Sequence, residues 1–144
     1  MKVFKIQPDK RFDVHFRVIV YPNRKRMIAG IKKDNLKIPG STDPDNNYMA
    51  MFRPFPAIFS EALSIVNYPN SVGSIYFNLE DISHEAIAHE CAHAAFTYEF
   101  NIRHSNGDFS DDNHDEQEEY CYFLGRSVKA VTETIMKYFK GIRL

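Results

Sequence analysis

The chain has no tryptophan, only two cysteines, and no long apolar run among its 144 residues. Two cysteines, Cys91 and Cys121, cannot form the disulfide framework of a small secreted domain; two free thiols in a reducing compartment suit them better. No segment approaches the roughly 20 apolar residues of a membrane-spanning helix. Residues 1–11 alternate charged and apolar side chains and contain no apolar signal core. A cytoplasmic protein without a membrane segment is the expectation. Internal repeats and low-complexity stretches are also lacking.

What is present is enough for one core. Hydrophobic residues make up 44% of the chain and aromatic residues 14%, so residues 1–144 are expected to form one domain. The net charge is −1, but residues 1–40 carry eleven Lys/Arg against three Asp/Glu. The remainder carries seven against sixteen. A basic first third can attract nucleic acid. No nucleic-acid module signature accompanies it here, so a surface whose two halves attract each other is the expected reading.

Local patterns divide the chain. Residues 13–21 place Val14, Phe16, Val18 and Val20 on one parity, which predicts a strand. A short helix with a basic outer face is predicted over 23–33. Residues 34–47, with Pro39-Gly40 and Asn46-Asn47, have loop chemistry. A short strand is expected at 48–52, a short helix or irregular apolar segment at 57–67, and a second strand at 71–79. Gly73 marks a bulge or a close approach in that strand. Residues 82–100 contain five alanines and neither Gly nor Pro, which predicts a mostly buried helix capped by Asp81 or Ser83. A loop follows at 101–113, with Asn113 as a possible cap. A long helix is predicted over 116–139, with Cys121, Leu124, Val128, Val131 and Ile135 as its inner face. Strands first and helices second imply an α+β fold.

Residues 89–93, His-Glu-Cys-Ala-His, form an H-E-x-x-H sequence on the first long helix. Positions i and i+4 share a helix face, so His89 and His93 can reach one Zn²⁺. Glu90, offset around the helix, can accept the proton of a water that zinc acidifies. Two imidazoles and a carboxylate set among Ala86, Ile87, Ala88, Ala92, Ala94 and Ala95 are costly to bury unless something satisfies them, and a metal would. The third ligand has to come from elsewhere. The extension H-E-x-x-H-x-x-G-x-x-H fails, because Phe96 and Glu99 occupy the positions of its Gly and His. Glu118 shares a register with Cys121, Gly125, Val128 and Thr132, the face expected to meet the first helix, with Gly125 allowing close approach. Glu118 is therefore the preferred ligand and Glu119 the second; His114 and Asp115 remain as outside choices. His84, about 140° around the helix from His89, is expected at the helix start or surface. His104, His114, Tyr98, Tyr120 and Tyr122 are candidate oxyanion donors, each more simply a loop or core residue. Cys91 is expected in the core. The seven acids of residues 108–119 lack the spacing of a calcium loop.

The pairing of HECAH with a downstream E-x-x-C-Y-F-L-G, Glu118 to Gly125, resembles the gluzincin-type minimal metallopeptidases. It is most similar to the small zinc-peptidase-like proteins encoded by phages and prophages. The resemblance covers roughly residues 79–131 and differs in having Cys121 where a small Ala is usual. It implies a zincin-like domain: a short, mostly antiparallel sheet packed on the HExxH helix and a long C-terminal helix. It also implies His89, His93 and Glu118 as zinc ligands, Glu90 as general base, and a peptide or protein substrate. In such folds the strand before the motif helix is often a sheet edge along which a substrate lies, a role that would fall to residues 71–79; an ordinary core strand is the equal alternative for that segment. The competing expectation is a non-catalytic binding or structural module with a zinc-stabilised fold, which a fourth protein ligand would favour.

Overall fold

The computed structural model describes residues 1–37, 42–54, 70–99 and 114–144, with backbone only at 114–116. The expected segment at 57–67, the loop at 101–113 and the Asn113 cap lie outside the described residues. The elements run β1 (Lys2–Ile6), β2 (His15–Tyr21), α1 (Arg24–Asn35), β3 (Ala50–Pro54), β4 (Ser71–Asn78), α2 (His84–Thr97) and α3 (His114–Tyr138). The four strands form one sheet in the order β1-β2-β4-β3. β1 pairs antiparallel with β2, β2 parallel with β4, and β4 antiparallel with β3. Among the described residues the result is a mixed α+β fold with a mostly antiparallel four-stranded sheet and three helices, the last of them long.

Period-2 alternation in β2 produces two cores. Phe16, Val18 and Val20 join Ile75, Phe77, Ile87 and Cys91 in the larger one, beneath α2 and α3. Ile19 and Tyr21 point the other way and pack with Met27, Ile28, Ile31 and Tyr76 beneath α1. Helix α1 thus covers the face opposite the two long helices. In β4 the register slips between His15 and Arg17, which pair with Ser71 and Ser74. This is the bulge anticipated at Gly73, where a Cβ would collide with the Arg53 carbonyl oxygen.

Three sequence expectations change. The first strand, β1, lies in the alternating segment of residues 1–11, for which no strand is predicted. Its lysines suit an exposed sheet edge. The strand before the motif helix, β4, lies between β2 and β3 and is buried along most of its length; the edge beside α2 is β3. The inner face of α3 runs through Phe123, Ser127, Val131 and Ile135, with Leu124 and Val128 at its flanks. Cys121 and Gly125 lie on the exposed side. The cause is aromatic packing: the Phe123 ring stacks on Tyr98 at 4.4 Å and meets Phe12 edge-on at 5.2 Å. That burial outweighs the attraction of a small-residue seam.

Among the described residues nothing lies within 4 Å of a Cβ added at Gly125, so a close approach of α2 does not explain this glycine. Gly125→Ala is expected to raise stability by about 1 kcal/mol, the helix-propensity difference, measurable as a higher melting temperature. A lower one would mean that this face meets something.

The turn from β4 into α2 is held by polar contacts. The buried Asn78 carboxamide donates to Met49 O and Asp81 Oδ2, both at 2.9 Å, and accepts from the N–H groups of Glu80 and Asp81. Asp81 also receives Arg24 through two hydrogen bonds of 2.7 and 2.6 Å. The Arg24 hydrogen bond holds the Asp81 carboxyl below its ordinary range. A depressed carboxyl contributes stability above its unfolded pKa and loses it as pH falls through the folded one. Arg24→Gln is therefore expected to lower the urea midpoint at pH 7, and the gap from wild type is expected to shrink below about pH 4. A gap of equal size at both pH values would contradict this role.

Candidate metal centre

Helix α2 begins where Asn78 and Asp81 aim it. Ser83 caps it, its hydroxyl accepting from the Ala86 N–H at 3.1 Å. One face, with Ile87, Cys91, Ala94 and Ala95, is buried in the larger core. His89 and His93 lie on the exposed side, one turn apart. Their Nε2 atoms stand 3.3 Å from each other, with ring planes 74° apart. Two nitrogens bound to a tetrahedral zinc at about 2.05 Å are separated by about 3.3 Å. The separation is therefore the one that a shared divalent ion requires. Without an ion, one proton shared between the rings closes the same distance, with the donor set by the tautomer.

Glu90 turns inward toward β3 and is only 6% exposed. The backbone of Phe52 donates to its carboxylate, and the Phe52 ring lies parallel to that of His93. Burial raises the Glu90 carboxyl above its ordinary range, against the opposing pull of His89 and the Phe52 N–H. His93 is lowered, first by burial and then by the neighbouring His89. The Phe52 bond also orients the edge strand. In an antiparallel pair, alternate residues turn their backbone groups away from the partner. The Arg53 carbonyl oxygen lies against Gly73 of β4 and the Phe52 N–H is turned toward Glu90, so the backbone groups of Ala50, Phe52 and Pro54 face away from β4. Pro54, which has no N–H, suits an edge that no other described strand pairs.

Histidines, glutamate and free edge meet in one cleft of about 750 Å³. Residues 48–52 line one side; Asp81, Ser83, Glu85 and Ala86 continue the α2 side beyond His89. His89, Glu90 and His93 of the motif thus line one cleft. Sequence reasoning missed Phe52, Tyr48, Met49 and Glu85 as parts of it. Only Glu85 carried a signal, being one turn before His89; the others arrive through strand pairing.

The remaining candidates are distributed as follows. Cys91 is fully buried, and burial pushes its thiol up to about 12, so it is core and not nucleophile. Cys121 is exposed, contrary to expectation. His84 is exposed at the helix start, as expected. Tyr98 is stacked on Phe123, and the Tyr122 ring lies under Arg11 at 4.4 Å. His104 lies outside the described residues, as do the side chains of His114 and Asp115. Among the described residues, no third His, Cys, Asp or Glu joins the two histidines in one cluster. Glu118 is exposed and Glu119 half-buried. The register that favoured Glu118 ran through Cys121 and Gly125, which face outward. One turn before Phe123 on the buried face stands Glu119. No described helix is long and apolar enough to cross a membrane. No protein-family model, curated protein or solved structure matches the chain.

Proposed function

We propose that this protein is a zinc-dependent metallohydrolase with a zincin-like domain, most simply a peptidase. The observation that carries the reading is the separation of His89 and His93 Nε2, 3.3 Å, beside the buried Glu90 in an open cleft. A lone surface histidine pair would have no need of an inward-turned carboxylate one residue away. In this reading His89 and His93 hold Zn²⁺, and a carboxylate from the first turns of α3 completes the set. Glu118 is the ligand that the motif resemblance implies; the buried face of α3 favours Glu119.

When bound, the ion would polarise the substrate carbonyl and acidify a water molecule. The protein's own residues do the rest. Glu90 accepts a proton from the attacking water and returns it to the leaving amine. Its carboxylate is held in place for both transfers by the Phe52 N–H. The outward backbone groups of Ala50 and the Phe52 carbonyl can receive an extended peptide by main-chain hydrogen bonds, so β3 takes the substrate-edge role that the resemblance gave to β4. Two free cysteines suit a reducing, cytoplasmic setting. The competing module reading would be favoured by a fourth protein donor closing the site.

Metal content of protein purified without added metal tests the proposal. About one zinc per chain is expected in wild type, with loss in His89→Ala and His93→Ala. One of Glu118→Ala and Glu119→Ala is expected to lose it too, and that variant names the third ligand. No zinc in wild type after zinc is offered would overturn the metal site. Glu90→Gln is expected to keep the metal and lose hydrolysis of a mixed peptide substrate by a factor of at least about 10². Full activity in that variant would remove the mechanism.

A further inference from the structure

The cleft reaches from the histidine pair toward the start of α2, where its walls differ in chemistry. On the strand side Tyr48 and Met49 are 45% and 57% exposed. Large apolar side chains left open beside a candidate catalytic centre mark a contact surface. On the helix side stand Asp81 and Glu85. Asp81 is already neutralised, its oxygens taken by Arg24 and Asn78. Glu85 is exposed and makes no hydrogen bond or ion pair among the described residues. It lies four residues before His89, one turn along the same helix face. An acid in a first turn also favours the helix dipole. That role is indifferent to which side of the helix carries the charge, and here the cleft side carries it.

We infer that this end of the cleft selects a lysine or arginine side chain of the substrate, with Glu85 as the specificity-determining carboxylate. The inference rests on the peptidase reading of the same cleft. A long cationic side chain is apolar along its stem and charged at its tip. Its stem fits against Met49 and the Tyr48 ring, which also attracts a cation; its tip reaches Glu85. Strand directions say which substrate residue is involved. The start of β3 lies by the start of α2, since Asn78 joins Met49 O to Asp81, and Phe52 lies by Glu90 and His93. Helix α2 and strand β3 therefore run the same way. A peptide paired antiparallel to β3 runs from the histidines toward Glu85. The selected residue is then on the C-terminal side of the scissile bond.

The test uses the full chain carrying Glu90→Gln, which binds without turnover, and peptides identical except for one Lys, norleucine or Glu. Fluorescence anisotropy is expected to show the Lys peptide bound about fivefold more tightly than the norleucine peptide, the scale of one partly exposed ion pair. Adding Glu85→Gln is expected to abolish that preference, and Glu85→Lys to turn it toward the Glu peptide. Equal affinities, a preference that survives Glu85→Gln, or no measurable binding of any peptide would overturn the inference. Cleavage of the same peptides by wild type is read separately. Charge-selective binding without cleavage would remove the hydrolase reading and keep the recognition. Cleavage without charge preference would do the reverse.

Discussion

The site depends first on the buried carboxamide of Asn78. It stands at the end of β4, where the chain must leave the sheet and start a helix within a few residues. A buried amide left unsatisfied there would cost about 1–3 kcal/mol, so its bonds to Met49, Glu80 and Asp81 fix the turn. Two consequences follow. The start of β3 is tied to the same point as the start of α2, which makes the edge strand and the motif helix two walls of one cleft. The direction of α2 is also set before its first hydrogen-bonded turn, so helical periodicity alone decides which residues face the core, the strand and the solvent.

Given that direction, the HECAH sequence sorts itself. Cys91 and Ala94 go into the core, His89 and His93 go outward, and Glu90 lies between them against β3. A buried carboxylate is costly without a partner, and the N–H of Phe52 supplies one. That N–H would otherwise be a free donor on a sheet edge. Each group meets a need of the other, and together they leave Ala50 and the Phe52 carbonyl as the open part of the edge. The 3.3 Å between the two Nε2 atoms is the local expression of the same arrangement: two imidazoles, one helical turn apart, brought together on the cleft side of α2.

Much of this was legible in the sequence because it is local. Parity in β2, the alanine-rich α2 with its Ser83 cap, and the i, i+4 histidines depend on neighbours a few residues away. The bulge at Gly73 was legible for the same reason. What was not legible depends on distant partners. The rotation of α3 is set by Phe123 meeting Tyr98 and Phe12, side chains from three separate segments. A small-residue seam through Cys121 and Gly125 looked equally good without them. The identity of the edge strand follows from sheet order, which residues 48–54 do not encode by themselves. For the third ligand, HECAH points to a second helix, but helix rotation separates Glu118 from Glu119 and is fixed by those same aromatic contacts.

The most direct measurement is the zinc X-ray absorption spectrum of the loaded protein. Two imidazole nitrogens at about 2.0–2.1 Å, with only oxygen donors beside them, are the expected first coordination shell. Such a spectrum would match an ion held by His89 and His93 with an open position toward the cleft. A sulfur shell at about 2.3 Å, or a shell of more than two imidazoles, would contradict it. The first would bring in a cysteine that this fold puts in the core or on the far side of α3; the second would mean that a further histidine, and not a carboxylate of α3, completes the ligand set.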